Sequence, residues 1–127
     1  MQEKNLFEYA IIRVVPKVER EEFLNAGVIV YCNAKNFLKT IYLINESRLQ
    51  AFCENIDLEV IENRLQAFDR ICKGKLEGGQ IGQLSKASRF RWLTAARSTV
   101  VQTSAVHPGL CADPEETLLK LFVQFVQ

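Results

Sequence analysis

The first third of the chain carries the side-chain pattern of three β-strands. Residues 6–15 are rich in β-branched and aromatic side chains, and their centre is apolar on both faces, which predicts an interior strand. Residues 26–32 predict a second strand of the same kind, in which Gly27 indicates a bulge or a close backbone approach. Residues 37–44 predict a third strand. Because the connections between these strands are short, we expect an antiparallel meander.

The hydrophobic period then lengthens to that of α-helices. A short helix is predicted after Asn45, whose side chain can cap its start. A longer helix is predicted between a cap at Asp57 and an end at Gly74. Its apolar stripe is typical of a surface that faces a core. The stripe consists of Leu58, Ile61, Leu65, Phe68 and Cys72.

The remaining residues predict two helices, a loop and a strand. Glycines break all periodicity in residues 74–83, so we expect a flexible loop there. Ser85 can cap a short helix over residues 85–93, and residues 97–104 alternate between polar and apolar side chains as a strand does. Asp113, followed by a proline and two glutamates, predicts the start of a final helix.

Together these elements predict an α+β fold with a single domain over residues 1–127. We expect an antiparallel sheet of about four strands, with the helices packed mainly on one face in a two-layer arrangement. The composition, with 48% hydrophobic and 24% charged residues, is ordinary for a globular domain. A chain of this length buries enough surface to fold without a metal or a disulfide. The order of the strands stays open.

Cysteine spacing and the N-terminus restrict the classes of function. No two cysteines have the spacing of a zinc site, and each lies among apolar residues, so we expect reduced, largely buried thiols and neither a metal nor a cofactor. The four are Cys32, Cys53, Cys72 and Cys111. The first residues lack a signal-peptide pattern, and no apolar run is long enough to span a bilayer. We therefore expect a cytoplasmic protein.

The distribution of charge singles out one segment. Residues 78–112 contain four basic side chains and no acid, although the net charge of the whole chain is only +1. A segment without acids that bears arginines and begins with glycines suits an anion, so we expect a phosphate-bearing ligand to bind here. The candidate binding residues are Arg89, Arg91, Arg97, Ser98, Thr99, His107, Gly79 and Gly82.

Arg97 is the strongest candidate within this segment. The hydroxyls of Ser98 and Thr99 follow it at the start of a predicted strand and can complete the hydrogen-bond shell of an anion. Arg89 and Arg91 point to nearly opposite sides of the predicted helix, so they cannot clamp one ligand. In the competing interpretation, all three arginines pair with groups elsewhere in the fold.

The sequence favours a binding or interaction protein over an enzyme, because it carries no recognisable nucleophile, metal or cofactor motif. An enzyme would use Arg97, Ser98, Thr99 and His107 as an anion-stabilising and proton-transferring set. A structural homo-oligomer without a ligand site is a third alternative. A nucleic acid is the less favoured partner, because no recognised nucleic-acid-binding motif is present.

Two stretches of the chain resemble a known family. They are residues 23–30, FLNAGVIV, and the run over residues 85–110, and residues 12–16 accompany them. They resemble family 3037 of the domains of unknown function over nearly the whole chain. That family has no established activity, so the resemblance implies no catalytic residues. Its members look like short bacterial proteins that are often encoded beside a protein similar to kinase-fold toxins, which implies a kinase-fold partner.

Overall fold

The computed structural model describes residues 3–127, which form a five-stranded antiparallel sheet with helices. The strands are β1 (Asn5–Val14), β2 (Leu24–Cys32), β3 (Phe37–Tyr42), β4 (Val101–Thr103) and β5 (His107–Cys111). β1 lies in the middle, with β2 along one edge and both β4 and β5 along the other. β3 pairs with the outer edge of β2. The α+β class and the antiparallel sheet predicted from the sequence are confirmed.

The α-helices, with one short exception, begin directly after the capping residues that the sequence predicts. They are α1 (Glu46–Phe52), α2 (Leu58–Lys73), α3 (Gly79–Gly82), α4 (Lys86–Leu93) and α5 (Pro114–Phe125). The N-cap side chains of α1, α2, α4 and α5 each accept a hydrogen bond from a backbone N–H of the first turn. These caps are Asn45, Asp57, Ser85 and Asp113. Among residues 3–127, no helix is both long and apolar enough to cross a membrane.

Both faces of the sheet are covered, because β1 and β2 are apolar on both sides. α1, α2 and α4 pack on the first face, where Ile12 and Ile29 of the sheet meet Leu65 and Phe90 of the helices. Most helices thus pack on one face, as the sequence predicts. α5 covers the opposite face and adds a third layer, in which the sheet residues contact its buried stripe. That stripe is Leu118, Phe122 and, just beyond the helix, Val126.

Gly27 marks a β-bulge, as the sequence predicts. Ile12 pairs with Gly27, whereas the next residue of β1 pairs with Asn25, so Ala26 is an extra residue in β2. A Cβ atom on Gly27 would lie 2.5 Å from the carbonyl oxygen of Ile41, a distance that only glycine avoids. The bulge directs Ala26 into the core of the first face and Asn25 toward the end of α5.

The structure differs from the sequence prediction between residues 74 and 111. The expected flexible loop folds into a 3-10 turn (Leu76–Gly78) followed by α3, and the Lys75 N–H closes it by donating to the Gly82 carbonyl oxygen at 3.1 Å. The predicted strand over residues 97–104 shortens to β4. β5 has no counterpart among the predicted strands, because its proline and glycine favour a turn, although an edge strand tolerates both.

Three of the four cysteines are buried as expected, and all four are free. Cys32, Cys72 and Cys111 lie in the core, whereas Cys53 is half-buried just after α1. Burial raises the pKa of the Cys72 thiol to about 11, against a smaller opposing effect of the Thr40 hydroxyl 3.2 Å from its sulfur. The Cys72 thiol is therefore protonated and unreactive at neutral pH.

Candidate functional site

Arg89 is bonded inside the fold and is only 7% exposed. α4 carries it to the end of α2, where its Nη1 donates to the carbonyl oxygens of Ile71 at 3.1 Å and Cys72 at 2.8 Å. Its Nε donates to the Leu84 carbonyl oxygen at 3.1 Å. Carbonyls in the last turn of a helix lack intrahelical partners and form the negative end of the helix dipole. Arg89 therefore acts as a side-chain cap of α2.

Arg91 points to the other side of α4, as helical spacing predicts, and forms an ion pair with β1. Its two terminal nitrogens donate to the two carboxylate oxygens of Glu8 at 2.8 and 2.9 Å. These hydrogen bonds raise the pKa of Arg91 above its usual value. The pair is largely exposed on the arginine side, where the side chain is 58% accessible. Arg91 thus finds its acid outside the acid-free segment.

Arg97 lies against the single tryptophan and has no carboxylate partner among residues 3–127. Its guanidinium carbon is 4.4 Å from the centre of the Trp92 ring, and one terminal nitrogen donates to the Trp92 carbonyl oxygen. Both residues line a cavity of about 110 Å³ whose remaining wall is mainly apolar. That wall includes Phe68 of α2 and Val101 of β4.

Arg64 of α2 is a second arginine in the wall of this cavity, and sequence reasoning missed it. It lies outside the acid-free segment, but it precedes the core residue Phe68 by one helical turn, which places both on one side of α2. No acid lies among the lining residues, and no ion pair involves Arg64 in the described part of the chain. We call Arg64, Trp92, Arg97 and Thr99 with the cavity they line the cationic cavity.

The two hydroxyls predicted beside Arg97 differ in position. Thr99 lines the cationic cavity, and its Oγ1 donates to the Val101 carbonyl oxygen at 2.6 Å, so its proton is already engaged. Ser98 is exposed, and its side chain makes no hydrogen bond to residues 3–127. The charged donors available to an anion in this cavity are therefore the two guanidinium groups.

His107 lies apart from the cationic cavity. It is exposed on β5, where it pairs with Tyr9, and the centres of the two rings are 5.4 Å apart. Tyr9 stacks on Phe125 of α5, which covers the opposite face of the sheet from α2 and α4. The structure therefore does not bring His107 to Ser98 or Thr99, and the proton-transferring set of the enzyme alternative is not assembled.

Gly79 and Gly82 shape the connection between α2 and α4 and do not line the cationic cavity. Gly79 has a φ of 66°, with open space where a Cβ would lie. Gly82 is buried, and a Cβ there would lie 2.9 Å from the Lys75 carbonyl oxygen. Both glycines serve the compact turn that replaces the expected flexible loop.

The structure defines an α+β protein with a small cationic cavity, and residues 3–127 contain no cluster of His, Cys, Asp or Glu that suits a metal ion. The chain belongs to the family described as "Protein of unknown function (DUF3037)", whose model matches residues 9–126. This match confirms the resemblance carried by residues 23–30 and 85–110. Neither a curated protein nor a solved structure matches the chain.

Proposed function

We propose that this protein is a binding module that holds a phosphate-bearing ligand between Arg64 and Arg97. The supporting observation is that two arginines without acidic partners line one cavity whose wall contains no carboxylate. Two guanidinium groups near each other repel, and a doubly charged anion between them removes that repulsion. Each can donate two parallel hydrogen bonds to phosphate oxygens.

The size of the cationic cavity limits what it can enclose. A volume of about 110 Å³ accommodates one phosphate group, whereas pockets for drug-sized molecules begin at roughly 300 Å³. The rest of the ligand therefore extends over the surface beside Trp92, which is 40% exposed. The flat ring of Trp92, which also contacts the Arg97 guanidinium, is available to the rest of the ligand.

Binding can be followed by the intrinsic fluorescence of Trp92, because it is the single tryptophan of the chain. Intrinsic fluorescence is recorded while inorganic phosphate or pyrophosphate is added at constant ionic strength. We expect a saturable change in emission, with pyrophosphate binding tighter than phosphate. Arg97→Gln and Arg64→Gln each remove one guanidinium while keeping most of the side-chain length. Each is expected to weaken binding about tenfold or more, the scale of one lost charged hydrogen bond.

Arg91→Gln is the matched control for the fluorescence experiment. Arg91 adjoins Trp92 in sequence, but its guanidinium is held by Glu8 outside the cationic cavity. Binding by Arg91→Gln is expected to equal that of the unmodified protein. Equal loss in all three variants, or an emission change that follows ionic strength alone, would contradict the proposal. Light scattering on the same samples tests the homo-oligomer alternative, since a dimer that covers Trp92 leaves no access to the cavity.

A kinase-fold partner follows from the family resemblance, and the cationic cavity suggests how such a partner would be held. We propose that a phosphorylated side chain of the partner supplies the anion. Co-purification with the neighbouring kinase-fold protein, before and after phosphatase treatment, tests this idea. We expect capture that is lost on dephosphorylation and reduced by Arg97→Gln. If capture is unaffected by dephosphorylation and by Arg97→Gln, the interface with the partner lies elsewhere. The phosphate site is then tested by the fluorescence experiment alone.

A further inference from the structure

A second cavity lies where β2, α1 and the end of α5 meet, far along the chain from the acid-free segment. Its volume is about 300 Å³, the lower end of the range for small-molecule sites. The interior is mainly apolar, with a wall that includes Val14, Leu24, Ala26, Ile44, Leu49 and Val126. We call it the aliphatic cavity. Nothing in it depends on the proposed phosphate site.

Asn25 brings an unpaired acceptor to the wall of the aliphatic cavity. Its Nδ2 donates to the Phe125 carbonyl oxygen at 3.0 Å, which fixes the orientation of the amide. Its Oδ1 is shielded from solvent and has no hydrogen-bond partner among residues 3–127. Buried acceptors are nearly always paired, so a donor that reaches this oxygen from the cavity through a small displacement of the Asn25 side chain would satisfy it. The β-bulge at Ala26 places Asn25 here, and bulges commonly redirect side chains beside binding sites.

Arg48 brings a cation to the same wall. Its Nη1 donates to the Val126 carbonyl oxygen at 3.4 Å, and no carboxylate among the described residues pairs with it. The carbonyls that Asn25 and Arg48 contact belong to consecutive residues, Phe125 and Val126. The amide and the guanidinium are therefore both held at the end of α5, and Arg48 is exposed and has further N–H groups that can donate. No Asp or Glu side chain lines this cavity.

We propose that the aliphatic cavity binds a carboxylate that carries an aliphatic side chain and an adjacent amide N–H. The carboxylate pairs with Arg48, the N–H donates to Asn25 Oδ1, and the side chain fills the apolar interior. This is the chemistry of an N-acyl amino acid and of the C-terminal residue of a peptide. A free amino acid fits less well, because its ammonium group would meet only neutral amide acceptors and no acidic side chain in the wall.

Methyl NMR spectra of the protein test this proposal with N-acetyl-leucine as the probe. At about 10 mM probe, a ligand with a millimolar Kd is mostly bound, and the methyls of Leu49 and Val126 are expected to shift. N-acetyl-leucinamide lacks the carboxylate, so its affinity for the protein is expected to be at least about tenfold lower. The affinity of Arg48→Gln for N-acetyl-leucine is expected to fall by a similar factor. Arg20→Gln is the matched control, because Arg20 is also exposed, pairs with Glu22 and does not line this cavity.

Two further measurements decide the source of the ligand and guard against folding effects. A hexapeptide that ends in leucine binds as well as N-acetyl-leucine if the natural ligand is a peptide terminus, and fails to bind if it is a small acid. Ala26→Val narrows the cavity and is expected to weaken binding of the probe. Amide spectra of the variant verify that it is folded. The proposal is overturned if the methyls do not shift, or if N-acetyl-leucinamide and Arg48→Gln show undiminished binding.

Discussion

Arg89 and Arg97 belong to the same acid-free segment, yet their surroundings in the fold differ. Arg89 lies inside α4 and gives its N–H groups to three carbonyl oxygens in the interior. Arg97 lies beyond the end of α4, where the chain turns toward β4, and its guanidinium contacts the ring of Trp92 and donates to the Trp92 carbonyl oxygen. Both lack a carboxylate, but only Arg97 faces a cavity with a second unpaired arginine.

The comparison shows that absence of local acids does not by itself indicate a ligand site. Carbonyl oxygens at a helix end can satisfy a buried guanidinium as fully as a carboxylate can, because they are unpaired and aligned with the helix dipole. What separates the two arginines is whether the fold supplies acceptors.

The largest effect is expected for Arg89→Met. Removing the guanidinium leaves the carbonyl oxygens at the end of α2 without hydrogen-bond donors in the interior. Each buried polar group without a partner costs about 1–3 kcal/mol. We expect a loss of roughly 3 kcal/mol or more in the free energy of unfolding, measured by urea denaturation. Arg89→Lys keeps the charge but not the forked geometry, so an intermediate loss is expected. A loss below about 0.5 kcal/mol would mean that Arg89 does not cap α2.

The second effect concerns pH, because Cys72 lies in the interior beside the Arg89 cap. Burial raises its pKa from 9.0 to about 11, so the folded state holds the thiol proton more tightly than the unfolded state does. Stability is therefore complete below pH 9 and decreases as pH rises from 9 to about 11. Two pKa units correspond to at most about 3 kcal/mol.

The check compares the unfolding free energy of the protein with that of Cys72→Ala at several values between pH 7 and pH 11. Lysines and tyrosines titrate in both proteins, so only the difference reports on Cys72. We expect the stability advantage of the unmodified protein to shrink at alkaline pH. A constant difference across the range would show that the interior next to Arg89 is open to water.

A smaller effect is expected for the exposed ion pair between Arg91 and Glu8. Its geometry is bidentate, but the arginine is largely solvated, and such pairs contribute about 0.2–1 kcal/mol. A double-mutant cycle with Arg91→Gln and Glu8→Gln measures the coupling free energy directly. We expect that coupling to diminish at 1 M salt. A coupling free energy above about 2 kcal/mol would mean that the pair of Arg91 and Glu8 behaves as a buried ion pair and not as an exposed one.

The sequence predicted most of the fold because its signals are local. Hydrophobic periodicity and capping residues identified β1, β2, β3 and four helices, and those elements form where the pattern indicates. β5 was missed because Pro108 and Gly109 argue for a turn. Pairing with β1 overrides that preference, and Gly109 fits closely against the Phe7 ring.

The candidate sites were less accessible to sequence reasoning because they depend on contacts between distant residues. Arg64 and Arg97 line one cavity only when α2 and the chain after α4 pack on the same face of the sheet. Arg89 and Arg91 found their partners on α2 and β1, which no local pattern reveals. A β-bulge was predicted at Gly27, but its effect on Asn25 depends on the position of α5.

The smallest effect on stability is expected for Arg97→Gln, and the contrast with Arg89 depends on it. The variant loses the contact with Trp92, which is worth about 0.5–1 kcal/mol at an exposed site. It also relieves repulsion with Arg64, so the net change in unfolding free energy is expected to stay below about 1 kcal/mol. Thermal denaturation with and without phosphate separates the two contributions. Phosphate is expected to raise the Tm of the unmodified protein more than that of Arg97→Gln, since ligand that binds only the folded state adds stability by mass action. Arg89→Lys, whose substitution lies outside the cationic cavity, should keep the full phosphate response. A loss of several kcal/mol in Arg97→Gln with no phosphate response in either protein would make Arg97 a structural residue like Arg89.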